Sequence, residues 1–144
     1  CGVSGLLGQR NLLLSNLFDE NLPCCQDWDL YIRLFKVTNI FYSNKTLFRY
    51  RRGDHQGITL NALKLSISDY PPRLRAIKKH KIWLGYWSYN LRLSKQILAY
   101  AHFKHEPIKW VAYSVRETGI LFTAFTIIKN AFSKVRSYRN KKFY

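Results

Sequence analysis

The chain has 144 residues, 24 Lys+Arg against 8 Asp+Glu, and 47% hydrophobic residues. That length suits one domain or one and a half, and the apolar share, with 16% aromatics, excludes a disordered tail. The net charge of +16 is uneven: residues 1–70 carry 8 basic and 6 acidic side chains, residues 71–144 carry 16 basic and 2 acidic. A near-neutral part is followed by a strongly basic one, and each needs its own explanation.

The three cysteines do not make a disulfide framework. Cys24 and Cys25 are neighbours, and a bridge between neighbours strains the peptide joining them. No CxxC or His/Cys spacing supports a zinc site. The cysteines read as reduced, small apolar side chains of a cytosolic protein. The longest apolar stretch, Gly119 to Ile128, is cut by Lys129. It falls short of the roughly 20 apolar residues that a membrane span requires. The opening CGVSGLLGQR has no signal-peptide pattern, and the chain contains no Met. It reads as a piece of a longer protein whose natural start has been lost.

In chain order, Cys1–Leu7 predicts a short buried strand ending in a Gly-marked turn. Gln9–Leu17 predicts a short helix with Leu12, Leu13 and Leu17 inward. The loop FDENLPCCQ follows, where Pro23 bars a helix. A new helix starts near Asp27, with Leu30, Leu34 and Val37 at the spacing of one buried face. Asn39–Tyr42 and Lys45–Arg51 read as neighbouring strands about the Ser43-Asn44 turn. The loop RGDHQG leads through Ile58-Thr59 to a short helix. Pro71-Pro72 is the boundary candidate, dividing the chain into 1–70 and 71–144. Arg73–His105 forms one long helix or two, with Gly85 as the weak point. Glu106-Pro107 starts the last helix, where Ile108, Val111, Val115, Phe122, Phe125 and Phe132 recur at helical spacing, flanked by Leu121 and Ile128. The RSYRNKKFY tail is expected to fray.

The run that carries chemistry is Phe18–Leu34, FDENLPCCQDWDLYIRL. Asp27 and Asp29 fall in the first turn of a helix, where backbone N–H groups are unpaired and the dipole stabilises a carboxylate. Side chains two apart do not share a face, so one Asp can point into a cleft while the other caps or pairs. Asp29 and Arg33, four apart, can form an ion pair. From these residues alone, a helix cap remains an open reading of Asp27.

The ordered set Ser4-Gly5, FDENL at 18–22, QDWDLYIRL at 26–34, IFY at 40–42, YRR at 50–52, His55 and IT at 58–59 resembles the C-terminal half of family 2 glycosyltransferases, the inverting enzymes of the GT-A fold. The match extends over about 60 residues. It implies an α/β class: residues 1–70 would complete a Rossmann-like GT-A catalytic domain with a few strands, and 71–144 would add a basic helical extension. It implies single displacement, with Asp27 as the general base on an acceptor hydroxyl that attacks the sugar's anomeric carbon. Ser4, Gly5, Trp28 and Asp29 would be acceptor-side or supporting residues, Trp28 packing beside the acceptor or in the core. Arg51, Arg52 and His55 would meet the diphosphate of the nucleotide-sugar donor, or form an exposed basic turn, and His55 could also help hold a metal. The divalent cation, Mg or Mn, would be held mainly by a D-x-D motif in an N-terminal half that nothing in this sequence matches. Asp27-Trp28-Asp29 has the letters of that motif but is followed by L-x-x-R-L, so it reads as the base motif.

The basic part interleaves Lys and Arg with Trp83, Tyr86, Trp87, Tyr89 and Trp110. Anionic headgroups attract such cations, and interfacial Trp and Tyr anchor a helix. A lipid-linked acceptor, as in lipopolysaccharide or capsule assembly, would favour a cytoplasmic enzyme lying on the inner face of the cell membrane. Nucleic acid ranks below, because no helix-turn-helix, zinc finger or RNP-like strand accompanies the charge. A solvated helical face is the plainer alternative. The competing class is a non-enzymatic basic module binding nucleic acid or anionic membrane.

Overall fold

The computed structural model describes residues 6–43, 45, 65–99 and 106–141. Its regular structure is helical: α1 (Arg10–Leu14), α2 (Gln26–Val37), a 3-10 turn (Pro71–Leu74), α3 (Arg75–Lys79), α4 (Lys81–Leu98), α5 (Pro107–Thr118) and α6 (Ile120–Lys141). No strand occurs among the described residues, which corrects the α/β, Rossmann-like GT-A expectation. The expected strand at Asn39–Tyr42 is irregular, and Phe41 and Tyr42 stand almost fully exposed. A strand needs a partner to pair its N–H and C=O groups, and these residues have none among those described. Leu7, placed in the first expected strand, is likewise exposed. Residues 1–5, 46–64 and 100–105 lie outside the described residues, and with them most of the second strand and the short helix after Thr59.

Local chemistry explains where helices stop. The α1 helix ends early because the Ser15 hydroxyl and the Asn16 amide both donate to the Leu12 carbonyl, at 3.0 Å each. Leu17, expected inward, is therefore exposed. Pro107 opens α5, where its missing N–H costs nothing. Gly85 interrupts the helical geometry of α4 with φ 69° and ψ 165°, and Gly119 separates α5 from α6 with φ 88° and ψ 164°. That region is open only to glycine, at about 1–3 kcal/mol for other residues. A Cβ at either glycine would meet nothing within 4 Å, so the requirement comes from the backbone alone.

The core gathers on α4. Leu93, Ile97 and Tyr89 pack with Leu74 and Ile77 from one side and Trp110 and Tyr113 of α5 from the other. Full burial of each aliphatic contributes roughly 1.5–3 kcal/mol. Contacts cross the Pro71-Pro72 step: Tyr70 is buried edge-on to Trp110 at 4.9 Å and donates its hydroxyl proton to the Gln96 carbonyl at 2.7 Å. Trp28 of α2 also packs on this core. On α2, Leu30 and Leu34 are buried as the spacing predicts, while Val37 is exposed at the helix end.

The expected last helix is two helices, divided at Gly119, and its stripe faces inward only in part, at Val111 and Phe122. On α5 the buried side chains are Trp110, Tyr113, Ser114 and Thr118, while Ile108 is exposed. On α6, Phe122, Thr123 and Thr126 are buried, while Leu121, Phe125, Ile128 and Phe132 are exposed. The cause is a hydroxyl junction where α4, α5 and α6 meet. The Ser114 hydroxyl lies 3.2 Å from Ser94 Oγ and 2.9 Å from Thr123 Oγ1, and Thr118 Oγ1 is 3.3 Å from Thr123 Oγ1. Ser94 also donates to the Phe122 carbonyl at 3.3 Å, and Thr118 to the Ser114 carbonyl at 2.8 Å. Small side chains let the helices approach closely, and each buried hydroxyl finds a partner.

Candidate functional site: two carboxylates on one helix turn

Cys25, with φ 61°, turns the chain into α2, and Gln26 is the first helical residue. Asp27 and Asp29 are therefore the second and fourth residues of the helix, and neither occupies the cap position. The Gln26 amide donates to the Leu22 carbonyl at 2.8 Å, fixing the FDENL loop against the helix start. Asp19 of that loop pairs with Lys79 at 2.7 Å, and its Oδ1 accepts the Asn21 N–H at 3.1 Å.

The two carboxylates have opposite surroundings. Asp29 is 0% exposed and surrounded by cations. Its Oδ2 takes Arg33 Nε at 2.9 Å; its Oδ1 takes Lys79 Nζ at 2.9 Å and His80 Nε2 at 2.7 Å. Burial pushes the Asp29 pKa up, but hydrogen bonds from Lys79, Arg33 and His80 outweigh it and hold the group below the usual carboxylate range. Asp27 is half-buried, its Oδ1 accepts the Trp28 N–H at 2.8 Å, and its carboxylate has no ion pair among the described residues.

His80 completes the buried node. Lys36 Nζ lies 3.3 Å from its Nδ1, so that nitrogen accepts from the ammonium and the proton sits on Nε2, pointed at Asp29. Burial lowers the His80 pKa, opposed by Asp29 and assisted by Lys36 and Lys79, in keeping with a neutral ring. Trp28 lies on the core side, with the Arg92 guanidinium 4.9 Å over its ring and His80 edge-on at 6.1 Å.

Beside the helix start, Cys24 and Cys25 are free thiols 3.6 Å apart. The hydrogen bond from the Cys25 thiol draws the Cys24 pKa down, and the same pairing together with burial pushes Cys25 up.

The structure thus brings Asp27, Trp28 and Asp29 together with Lys36, Lys79 and His80. The last three were not singled out in the sequence, although the Lys78-Lys79-His80 run after Pro71-Pro72 was its one trace. Ser4, Gly5, Arg51, Arg52 and His55 lie outside the described residues. Among the described residues no cluster of three or more His, Cys, Asp or Glu could hold a metal, and the Asp29 oxygens are already taken by cations. Of the residues expected at a divalent cation, His55 lies outside the described residues, and the D-x-D motif has no counterpart in this sequence.

No family model matches the chain, and no solved structure matches it. Over 56 residues it is 34% identical to an uncharacterized glycosyltransferase of Rickettsia bellii (strain RML369-C), a match that covers 39% of this chain and 8% of that protein. The chain thus has a glycosyltransferase-like relationship over about two fifths of its length, to a relative of which it spans a small part.

Proposed function

We propose that this chain supplies the acceptor side of a glycosyltransferase, with Asp27 as its general base. The observation that carries the reading is the division of labour on one helix turn. Asp29 is consumed by Arg33, Lys79 and His80, whereas Asp27 keeps an oxygen without a partner among the described residues. The Asp29 node locks α2 to α3 and so fixes where Asp27 stands. The glycosyltransferase-like relationship supports the same reaction class.

In this reading the donor is a nucleotide sugar and the acceptor a hydroxyl of a lipid-linked surface glycan. The acceptor oxygen attacks the anomeric carbon as the bond to the nucleoside diphosphate breaks, giving inversion as in family 2 enzymes. The acceptor proton passes to the Asp27 carboxylate, and the electron pair of the broken bond leaves with the diphosphate. Arg51, Arg52 and His55 are assigned to that leaving group, where negative charge builds. Positioning of the two reactants supplies much of the rate.

Asp27→Asn in the complete enzyme should lower transfer by about 100-fold or more, with donor binding unchanged. Turnover at the parent rate would rule out the base assignment.

A further inference from the structure

The outer face of α6 is apolar and uncovered among the described residues. Leu121, Phe125, Ile128 and Phe132 follow one another at spacings of four, three and four, the geometry of a single stripe. They are exposed by 64%, 50%, 55% and 71%, while Thr123 and Thr126 face inward. A helix that buries threonines and shows phenylalanines to solvent is built for a second apolar contact. The stripe runs about 16 Å, eleven steps of about 1.5 Å from Leu121 to Phe132. At its N-terminal end Trp87 and Tyr86 of α4 stand against Phe122, rings at 4.9 and 5.7 Å, and both are themselves largely exposed.

The charge in the sequence of α6 is of one sign. Residues 120–141 contain no Asp or Glu but include Lys129, Lys134, Arg136, Arg139 and Lys141. A groove of about 210 Å³ opens between α4 and α6, lined by Phe125 and Leu91 together with Lys95, Lys129, Asn130 and Ser133. Neither lysine has a carboxylate partner among the described residues, because Glu106 pairs with Lys109 and Glu117 with Lys78. No described helix is long and apolar enough to cross a membrane. The arrangement instead matches a helix lying in the interface plane, with apolar side chains among acyl chains, Tyr and Trp at headgroup level, and lysines on anionic phosphates.

We propose that the α6 stripe, with Tyr86 and Trp87 at its edge, is a docking face for an anionic lipid bilayer, and that the Lys95–Lys129 groove receives a phosphate headgroup. The proposal stands apart from the sugar-transfer reading, since it concerns a different face and its test needs no turnover.

The test is co-sedimentation of the chain with vesicles of phosphatidylcholine, alone or with about one third phosphatidylserine, at low and raised salt. Binding is expected to the anionic vesicles only and to weaken with salt. Phe125→Ser and, separately, Phe132→Ser should each weaken it about tenfold. Lys129→Gln should weaken it about fivefold. Helix content by circular dichroism identifies any variant that fails to fold, and Phe132, outside the groove, gives an independent arm. No binding, equal binding to both vesicle types, or indifference to both Phe variants would overturn the proposal. So would self-association of the parent chain that Phe125→Ser abolishes, which would make the stripe a contact between copies. Salt-sensitive binding to duplex nucleic acid in place of vesicles would overturn it as well.

Discussion

Two regions of this chain bury polar side chains, and they do it by different physics. Where α2 meets α3, a fully buried carboxylate is held by Arg33, Lys79 and His80, with Lys36 behind the imidazole. Where α4, α5 and α6 meet, Ser94, Ser114, Thr118 and Thr123 share hydrogen bonds without charge. The ionic node joins segments 50 residues apart in sequence and sets the angle of a candidate catalytic turn. The hydroxyl junction lets three helices approach closely and, by turning Thr123 and Thr126 inward, turns the apolar stripe outward. The first region spends charge to fix a position; the second saves volume and so releases a surface.

Breaking the ionic node should give the largest effect. Asp29→Ala leaves the buried His80 N–H without an acceptor and the part-exposed Arg33 and Lys79 without their carboxylate, and should destabilise the fold by about 3 kcal/mol, read by chemical denaturation. Asp27→Ala, two residues away, part-exposed and without an ion pair among the described residues, should cost under about 1 kcal/mol. Equal losses at the two positions would erase the contrast between them. The hydroxyl junction should be softer. Ser114→Ala strips a shared partner from Ser94 and Thr123 and should cost about 1–3 kcal/mol in the same measurement.

The smallest effect distinguishes the two regions by pH. The folded His80 pKa is lowered from 6.5, so the unfolded chain takes up this proton more readily than the folded one. Its contribution is present at neutral pH and is lost as pH falls through 6.5 toward the folded value. The slope is at most about 1.4 kcal/mol per pH unit for one proton. Asp29, also lowered, adds a loss only below its ordinary value of 3.8. Denaturation midpoints between pH 7 and 5 should therefore fall for the parent, and fall less for His80→Gln. Ser114→Ala should keep the parent's slope. An unchanged slope in His80→Gln would remove His80 from the account.

Much of the helical framework was legible in the sequence. The start of α2, the burial of Leu30 and Leu34, the Asp29–Arg33 pairing, the break at Gly85 and the opening of α5 at Pro107 follow from spacing, four-residue geometry and the special backbones of Gly and Pro. The expected strands fared differently. β-branched and aromatic letters at 39–42 permit a strand, yet a strand exists only with a neighbour to pair its backbone, which lies beyond local pattern. The glycosyltransferase resemblance placed Asp27 as the reactive carboxylate. Local rules could say only that the two aspartates point different ways.

By itself, then, the sequence determined where helices begin and break, because capping, φ restriction and i to i+4 contacts operate within a few residues. It also determined the charge asymmetry, which no folding alters. Only tertiary structure decided that Lys79 and His80 close on Asp29, and that α6 shows Phe125 and Phe132 outward. Both outcomes depend on which side chains meet from distant segments, where the desolvation of a buried charge or the close fit of small hydroxyls outweighs local preference.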